Sequence, residues 1–238
     1  MALVDYRIED HVAVVTLNDG ENRFNPPFLD AFLRVLDEIE SGTAATALVV
    51  TGSHEKIFCN GIDLEWIQSA RTQDPPAVKL FLYQLDRLLH RLVTYPLVTV
   101  AAISGHAFAG GAILCCAFDF RYMRSDRGFF CLPEVDLGIP FLPGMNALLR
   151  SAIPAWLLRE MQLTGVRLTA EQCRDAHVVS GICPGDELLA AALEFARRID
   201  KKRVTVAEMK ARLNRDIVHS LTVEDVAYIE AGGFTVFD

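Results

Sequence analysis

The sequence contains no C-x-x-C pair, although it has six cysteines: Cys59, Cys115, Cys116, Cys131, Cys173 and Cys183. Several of these lie in apolar runs, which reads as free buried thiols in a reducing compartment rather than a disulfide framework. No set of His, Cys, Asp and Glu has the spacing of a metal site. There is no excess of positive charge either: 23 Lys and Arg stand against 31 Asp and Glu, a formal net charge of −8. That balance argues against a nucleic-acid partner, because no excess of Lys and Arg is left to neutralise phosphates, while a local basic patch for a small phosphorylated ligand stays open. No G-x-G-x-x-G is present, and no Lys-Ser or Lys-Thr follows a glycine-rich turn, so a nucleotide-cofactor site has no support. Linkers, low-complexity tracts and fixed-period repeats are also lacking.

One long uncharged run does occur, from Leu92 to Phe118. Its length alone suggests a membrane span. Pro96, Ser104, Gly105, His106, Gly110 and Gly111 break it up, and it reads as a buried strand, a glycine turn and a buried helix. Met1 to Arg7 has no signal-peptide layout and Gly233 to Asp238 carries no peroxisomal address, so the expected location is cytoplasmic. With 238 residues, half of them apolar, the chain can bury a large core.

Val4 to Glu9 alternates like a strand, turns at Asp10-His11 and returns as Val12 to Leu17, which predicts a hairpin. Asn25-Pro26-Pro27 predicts a helix start burying Phe28, Phe32, Leu36 and Ile39. Ala47 to Thr51 predicts a central strand ending at Gly52, and a short helix is expected near Asp63. Pro75-Pro76 opens a long helix that stops before Pro96. Leu97 to Ile103, Phe118 to Met123 and Phe129 to Leu132 read as strands, with a helix from Gly110-Gly111 through Cys116. Beyond Pro143 strands nearly vanish. Helices are expected over Met145–Ala152, Pro154–Leu163, Ala170–Ala176, Glu187–Ile199 and Val206–Leu213, with one strand at His177–Ile182. Alternation of this kind predicts an α/β fold.

Three segments can carry chemistry. Phe58-Cys59-Asn60-Gly61-Ile62-Asp63-Leu64 and Gly105-His106-Ala107-Phe108-Ala109-Gly110-Gly111-Ala112 each place glycine between a strand and a helix, where backbone N–H groups can hold a developing oxyanion. Glycine turns of this sort are also ordinary connections. The third is Pro133-Glu134-Val135-Asp136-Leu137-Gly138-Ile139-Pro140-Phe141. Glu134 follows an apolar strand in a segment poor in charge. It is either a desolvated base with a raised pKa or a helix cap or structural salt-bridge partner. Asp136, two residues on, points the same way if the segment is extended and is then a second acid. His106 reads as a packed histidine, Cys59 has no histidine partner nearby, and Asp119 with Arg121 reads as a structural pair.

Taken together, in this order and spacing, the segments resemble the crotonase family, also called the enoyl-CoA hydratase/isomerase family. The resemblance runs from the N-terminal hairpin to the helical tail. It implies an α/β crotonase-type ββα spiral over residues 1–184, carrying the acyl-CoA site, and a C-terminal helical trimerisation region over 185–238. It places the oxyanion donors at Ile62 and Gly110, and it implies substrate binding along Lys56, Phe58, Asn60, Gly61, Asp63, Leu64, Gly111, Ile113 and Phe141. Coenzyme A is then part of the substrate and no separate cofactor is expected. A homotrimer or dimer of trimers is implied. Lys201, Lys202 and Arg203 form the strongest basic cluster and are either a phosphate contact or a solvated helix end.

The family's hydratases use two glutamates, one of which falls here on Ile113, which cannot handle a proton. Only Glu134 remains. A single carboxylate, with Leu137-Gly138-Ile139-Pro140-Phe141 beside it, resembles the Δ3,Δ2-enoyl-CoA isomerases. The alternatives are another acyl-CoA reaction of the family, such as hydration, dienoyl isomerisation or thioester hydrolysis, or a CoA-binding homologue without catalysis.

Overall fold

The computed structural model describes residues 2–232, so the C-terminal residues 233–238, which include the segment read for a peroxisomal address, lie outside the described residues. The chain opens with β1 (Val4–Glu9) and β2 (Val12–Leu17), an antiparallel hairpin pairing Val4 with Leu17. α1 (Pro26–Gly42) follows. The Asn25 side chain accepts the Phe28 N–H at 3.1 Å, and the two prolines occupy a first turn that needs no N–H. Its buried face carries Phe28, Phe32, Leu36 and Ile39, as their spacing predicts.

Next come β3 (Ala47–Gly52), β4 (Ile57–Cys59), α2 (Leu64–Gln73), α3 (Pro75–Val93), β5 (Val98–Ile103), β6 (His106–Phe108) and α4 (Gly110–Cys116). β7 (Phe120–Arg124), β8 (Phe130–Cys131), α5 (Glu134–Leu137), α6 (Pro143–Ala152), α7 (Ala155–Thr164), β9 (Arg167–Leu168), α8 (Ala170–Asp175) and β10 (Gly181–Cys183) complete the strand-bearing part. The chain then runs through α9 (Leu188–Arg197), α10 (Arg203–Leu213), α11 (Arg215–His219), a π-helical turn over Ser220–Glu224 and α12 (Asp225–Glu230).

Two sheets result. The larger has the order β1-β2-β3-β5-β7-β10 and is parallel after the first hairpin. The smaller has the order β4-β6-β8-β9, its first three strands parallel. Buried on both faces, β3 reads as an unbroken apolar run rather than an alternation. One face of the larger sheet, through Val12, Val14, Val49 and Val100, packs against Leu188, Ala192, Leu193 and Ala196 of α9. The other face joins the main core with α1 and α3, where the buried Tyr95 hydroxyl donates to the Leu36 carbonyl at 2.7 Å.

Several local expectations give way to competing bonds. The strand expected over His177–Ile182 is only Gly181–Cys183, paired with β7. His177 has φ +58, and the Val178 and Val179 N–H groups return to the Cys173 carbonyl, so the chain first wraps the end of α8. The strand expected from Phe118 starts at Phe120. Asp119 does not pair with Arg121: it accepts the buried Lys210 ammonium at 2.8 Å and the Thr99 N–H at 2.8 Å, while Arg121 donates to the Val178 and Phe118 carbonyls. Arg203 is consumed in the same way. It donates to the carbonyls of Glu40, Thr43 and Ala45, closing the C-terminal end of α1, while Lys201 and Lys202 are exposed.

Candidate active site

Because β4, β6 and β8 are neighbouring and parallel, their C-terminal ends lie together at one edge of the smaller sheet. β4 delivers Asn60, Gly61 and Ile62; β6 delivers Ala109 and Gly110; β8 leads through Leu132 and Pro133 to Glu134. Close approach of the first two loops depends on glycine. Gly61 has φ +75, and a Cβ there would lie 2.5 Å from the Gly110 nitrogen. A Cβ on Gly111 would lie 2.1 Å from the Cys59 carbonyl oxygen. Ala109 sits at φ +52, ψ −126, a conformation that costs a residue with a Cβ about 1–3 kcal/mol and is held only by its surroundings.

These loops line one cavity with Asn60, Ile62, Leu64, Ala109, Gly110, Ile113, Glu134, Ile139, Pro140, Phe141 and Met145. Its wall is apolar apart from the Asn60 amide, the Glu134 carboxyl and backbone. Neither the Ile62 nor the Gly110 N–H donates to a protein acceptor among the described residues. Glu134 is 6% exposed and its Oε2 has no hydrogen-bond partner. Burial pushes its carboxyl up to about 7, opposed only by its own backbone N–H. Such a group exchanges a proton near neutral pH, and two free N–H donors beside it can take up negative charge on a carbonyl oxygen.

The remaining residues singled out in the sequence fall outside this wall. Phe58 is fully buried in the core. Asp63 caps α2, accepting the Trp66 N–H at 3.1 Å, and receives the Asn25 amide at 3.3 Å. Lys56 is exposed beside Glu55 at 3.6 Å. Gly61 and Gly111 contribute through the packing of the loops. The Cys59 thiol donates to the Asn22 carbonyl and is pushed up to about 12 by burial, which removes it as a nucleophile. His106 accepts the Phe129 N–H through Nδ1 and stacks on the Phe129 ring, a packed histidine. Asp136 is separated from Glu134 because the segment is helical rather than extended. Residues two apart on a helix point to different sides, and Asp136 is exposed next to Gly165.

Ala109, Ile139, Pro140 and Met145 also line the cavity. The first three stand in the quoted motifs. Met145 had a weaker signal, lying four residues after Phe141 on the first turn of an expected helix. Among the described residues no group of His, Cys, Asp and Glu could hold a metal ion, and no helix is long and apolar enough to cross a membrane.

A two-sheet α/β spiral with facing donor loops and one buried carboxyl defines an acyl-CoA enzyme of the crotonase type. The model of the enoyl-CoA hydratase/isomerase family matches residues 7–236, and the chain belongs to that family. It is 30% identical over 190 residues to the peroxisomal enoyl-CoA delta isomerase 2 of Arabidopsis thaliana, covering 78% of this chain and 79% of that protein. It is also 33% identical over 201 residues to the mitochondrial enoyl-CoA hydratase of Pongo abelii, covering 83% of this chain and 67% of that protein. An enoyl-CoA hydratase/isomerase family protein from Pseudomonas syringae has the same fold, with a TM-score of 0.87 at 25% identity over 96% of this chain and 97% of that one.

Proposed function

We propose that the protein is a Δ3,Δ2-enoyl-CoA isomerase in which Glu134 alone moves the proton. The observation that carries this reading is the cavity wall. Glu134 is its one titratable side chain, and the position where the family's hydratases carry their other glutamate is Ile113, 2% exposed and apolar. Moving a double bond from C3 to C2 needs one base, which takes a proton from C2 and returns it to C4. Ile62 and Gly110 donate their N–H groups to the thioester oxygen and hold the dienolate between the two transfers. The apolar wall keeps water from adding. Leu64, Ile139, Phe141 and Met145 receive the acyl chain. Coenzyme A runs outward along the first loop past Asn60, as part of the substrate, and no separate cofactor takes part.

The same reading carries a homotrimer, or a dimer of trimers, to which the exposed Val204, Met209 and Leu213 of α10 offer apolar surface, and a cytoplasmic location. Relatives include both isomerases and hydratases, so the test must separate the two. Purified protein is assayed spectroscopically with a 3-enoyl-CoA and a 2-enoyl-CoA, each at short and long chain length. Conversion of the 3-enoyl substrate with little hydration of the 2-enoyl substrate is expected. Brisk hydration would show that some other group positions a water and would end the single-carboxylate reading.

A further inference from the structure

The segment between β2 and α1 contributes no residue to the cavity wall, yet it binds almost every residue of the first donor loop. The Phe24 N–H donates to the Gly61 carbonyl at 2.7 Å, and the Asp63 N–H donates to the Phe24 carbonyl at 3.0 Å. These two bonds form an isolated parallel bridge between Phe24 and Ile62. In such a bridge one residue bonds to both neighbours of its partner, so the partner's own N–H and C=O point to the other side. Ile62 is that partner. The bridge therefore leaves its N–H without an acceptor and fixes its direction.

Asn22 secures the chain just upstream. It is fully buried, at φ +52, and its amide donates to the Phe58 carbonyl at 2.8 Å. Its own Oδ1 accepts the Asp19 N–H at 2.9 Å, and its backbone carbonyl accepts the Cys59 thiol at 3.0 Å. Glu21 adds two bonds to Asn60: the backbone N–H meets the Glu21 carbonyl at 3.1 Å, and the amide meets the Glu21 carboxylate at 3.1 Å. Arg23 holds that carboxylate at 2.6 Å. From Phe58 to Asp63, Ile62 alone is not tied to this segment by a hydrogen bond. Phe24 also reaches the second donor loop. Its ring carbon Cε2 lies 3.0 Å from where a Cβ on Gly110 would stand.

We infer that Asp19–Asn25 is a positioning brace for the oxyanion hole, in which Asn22 fixes the approach to the first donor loop and Phe24 sets the Ile62 and Gly110 N–H groups at one spacing. Asn22 and Phe24 are positioning residues and act through the two backbone donors. The inference rests on the assignment of those donors under the proposed function. It accounts for a buried asparagine in a left-handed conformation outside the cavity wall. It also implies that differences in this connection tune the strength of the hole without altering any residue of the cavity wall.

The test is Asn22→Gly, which accepts the positive φ and removes both side-chain bonds, with Phe24→Leu as a second variant that keeps the backbone bridge and withdraws the ring from Gly110. Three quantities are read: kcat and KM with a 3-enoyl-CoA, melting temperature, and the carbonyl stretch of a bound ¹³C-labelled acyl-CoA thioester analogue. Misplacing a donor by about 1 Å costs on the order of a hundredfold in turnover, so Asn22→Gly is expected to lower kcat by about that factor while KM changes little. Its bound carbonyl stretch should move back toward the solution value. Phe24→Leu should shift both readouts the same way by less. If Asn22→Gly does not fold, Phe24→Leu decides. Loss of melting temperature with kcat and carbonyl stretch unchanged makes the segment structural only and overturns the brace. Wild-type protein that polarises the carbonyl but converts no 3-enoyl-CoA, with the polarisation lost in Asn22→Gly, sinks the isomerase reading and leaves the brace standing.

Discussion

Among the described residues carboxyl groups are buried in two places, and they differ in what surrounds them. At the sheet edge Glu134 stands alone in a cavity, with one oxygen unpartnered and free N–H groups nearby. At the junction of α3, α6 and α12, Asp86 and Asp225 face each other in a sealed site, where a charge on Asp225 raises the cost of ionising Asp86; both Asp86 oxygens lack a hydrogen-bond partner, and one Asp225 oxygen accepts the Gly144 N–H at 2.7 Å. A Cβ on Gly144 would lie 2.3 Å from the other Asp225 oxygen, so the pair is packed directly against the backbone of α6. Burial raises the pKa in all three groups. A raised pKa is therefore not what marks the active site. What sets Glu134 apart is open space and unpartnered N–H groups beside it, while Asp225 ties α12 to α6 through the Gly144 N–H.

Glu134→Gln should have the largest effect. The amide keeps the shape of the side chain and cannot exchange the proton, so turnover should vanish while acyl-CoA binding stays within a few-fold by calorimetry. In the wild type kcat/KM should rise with pH through about 7, because the base is the ionised form and burial places its transition there. A flat profile, or a variant that still turns over, removes Glu134 from the mechanism.

Gly110→Pro should follow in size. It deletes one donor N–H, which is expected to cost about 2.7–4 kcal/mol of transition-state stabilisation, or roughly a hundred- to a thousandfold in turnover. Unchanged melting and oligomeric state would show that the loss is not a folding defect.

Asp86→Asn, at the buried aspartate pair, should leave turnover nearly intact. Both aspartates have folded-state pKa values above the ordinary carboxylate value, so the native state holds more protons than the unfolded one. Stability contributed by the pair is full at acid pH. It is lost as pH rises from about 4, the unfolded carboxylate value, toward about 8, to which burial pushes Asp86. An asparagine can donate to Asp225 at any pH. Denaturation midpoints between pH 5 and 8.5 should therefore fall less in the variant than in the wild type. Parallel curves would mean that the pair carries no shared proton.

The two regions also differ in how far the sequence displays them. Asn25-Pro26-Pro27 and the apolar runs of β3 and β5 announce themselves because caps and burial are local. The three site segments were visible because glycine turns and an isolated glutamate each lie within a few residues. The short strands β4, β6 and β8, which bring those segments together, are two or three residues long and offer no alternation to count. α5 was missed as a helix because its four residues show no period, and that cost the separation of Asp136 from Glu134. Asp86 looks like an ordinary polar position in a Leu-rich helix. Its partner is far away in the chain, as is Lys210 from Asp119 and Arg203 from the end of α1, so these pairings belong to tertiary structure alone.

In the proposed mechanism two backbone donors and one carboxylate meet at a single acyl group. A crystal structure with a non-reactive 3-enoyl thioester analogue tests it directly. The expected complex has its carbonyl oxygen about 2.7–3.1 Å from the nitrogens of both Ile62 and Gly110, with C2 and C4 facing the Glu134 carboxyl. A carbonyl bound elsewhere, or Glu134 turned away from the acyl chain, would contradict it.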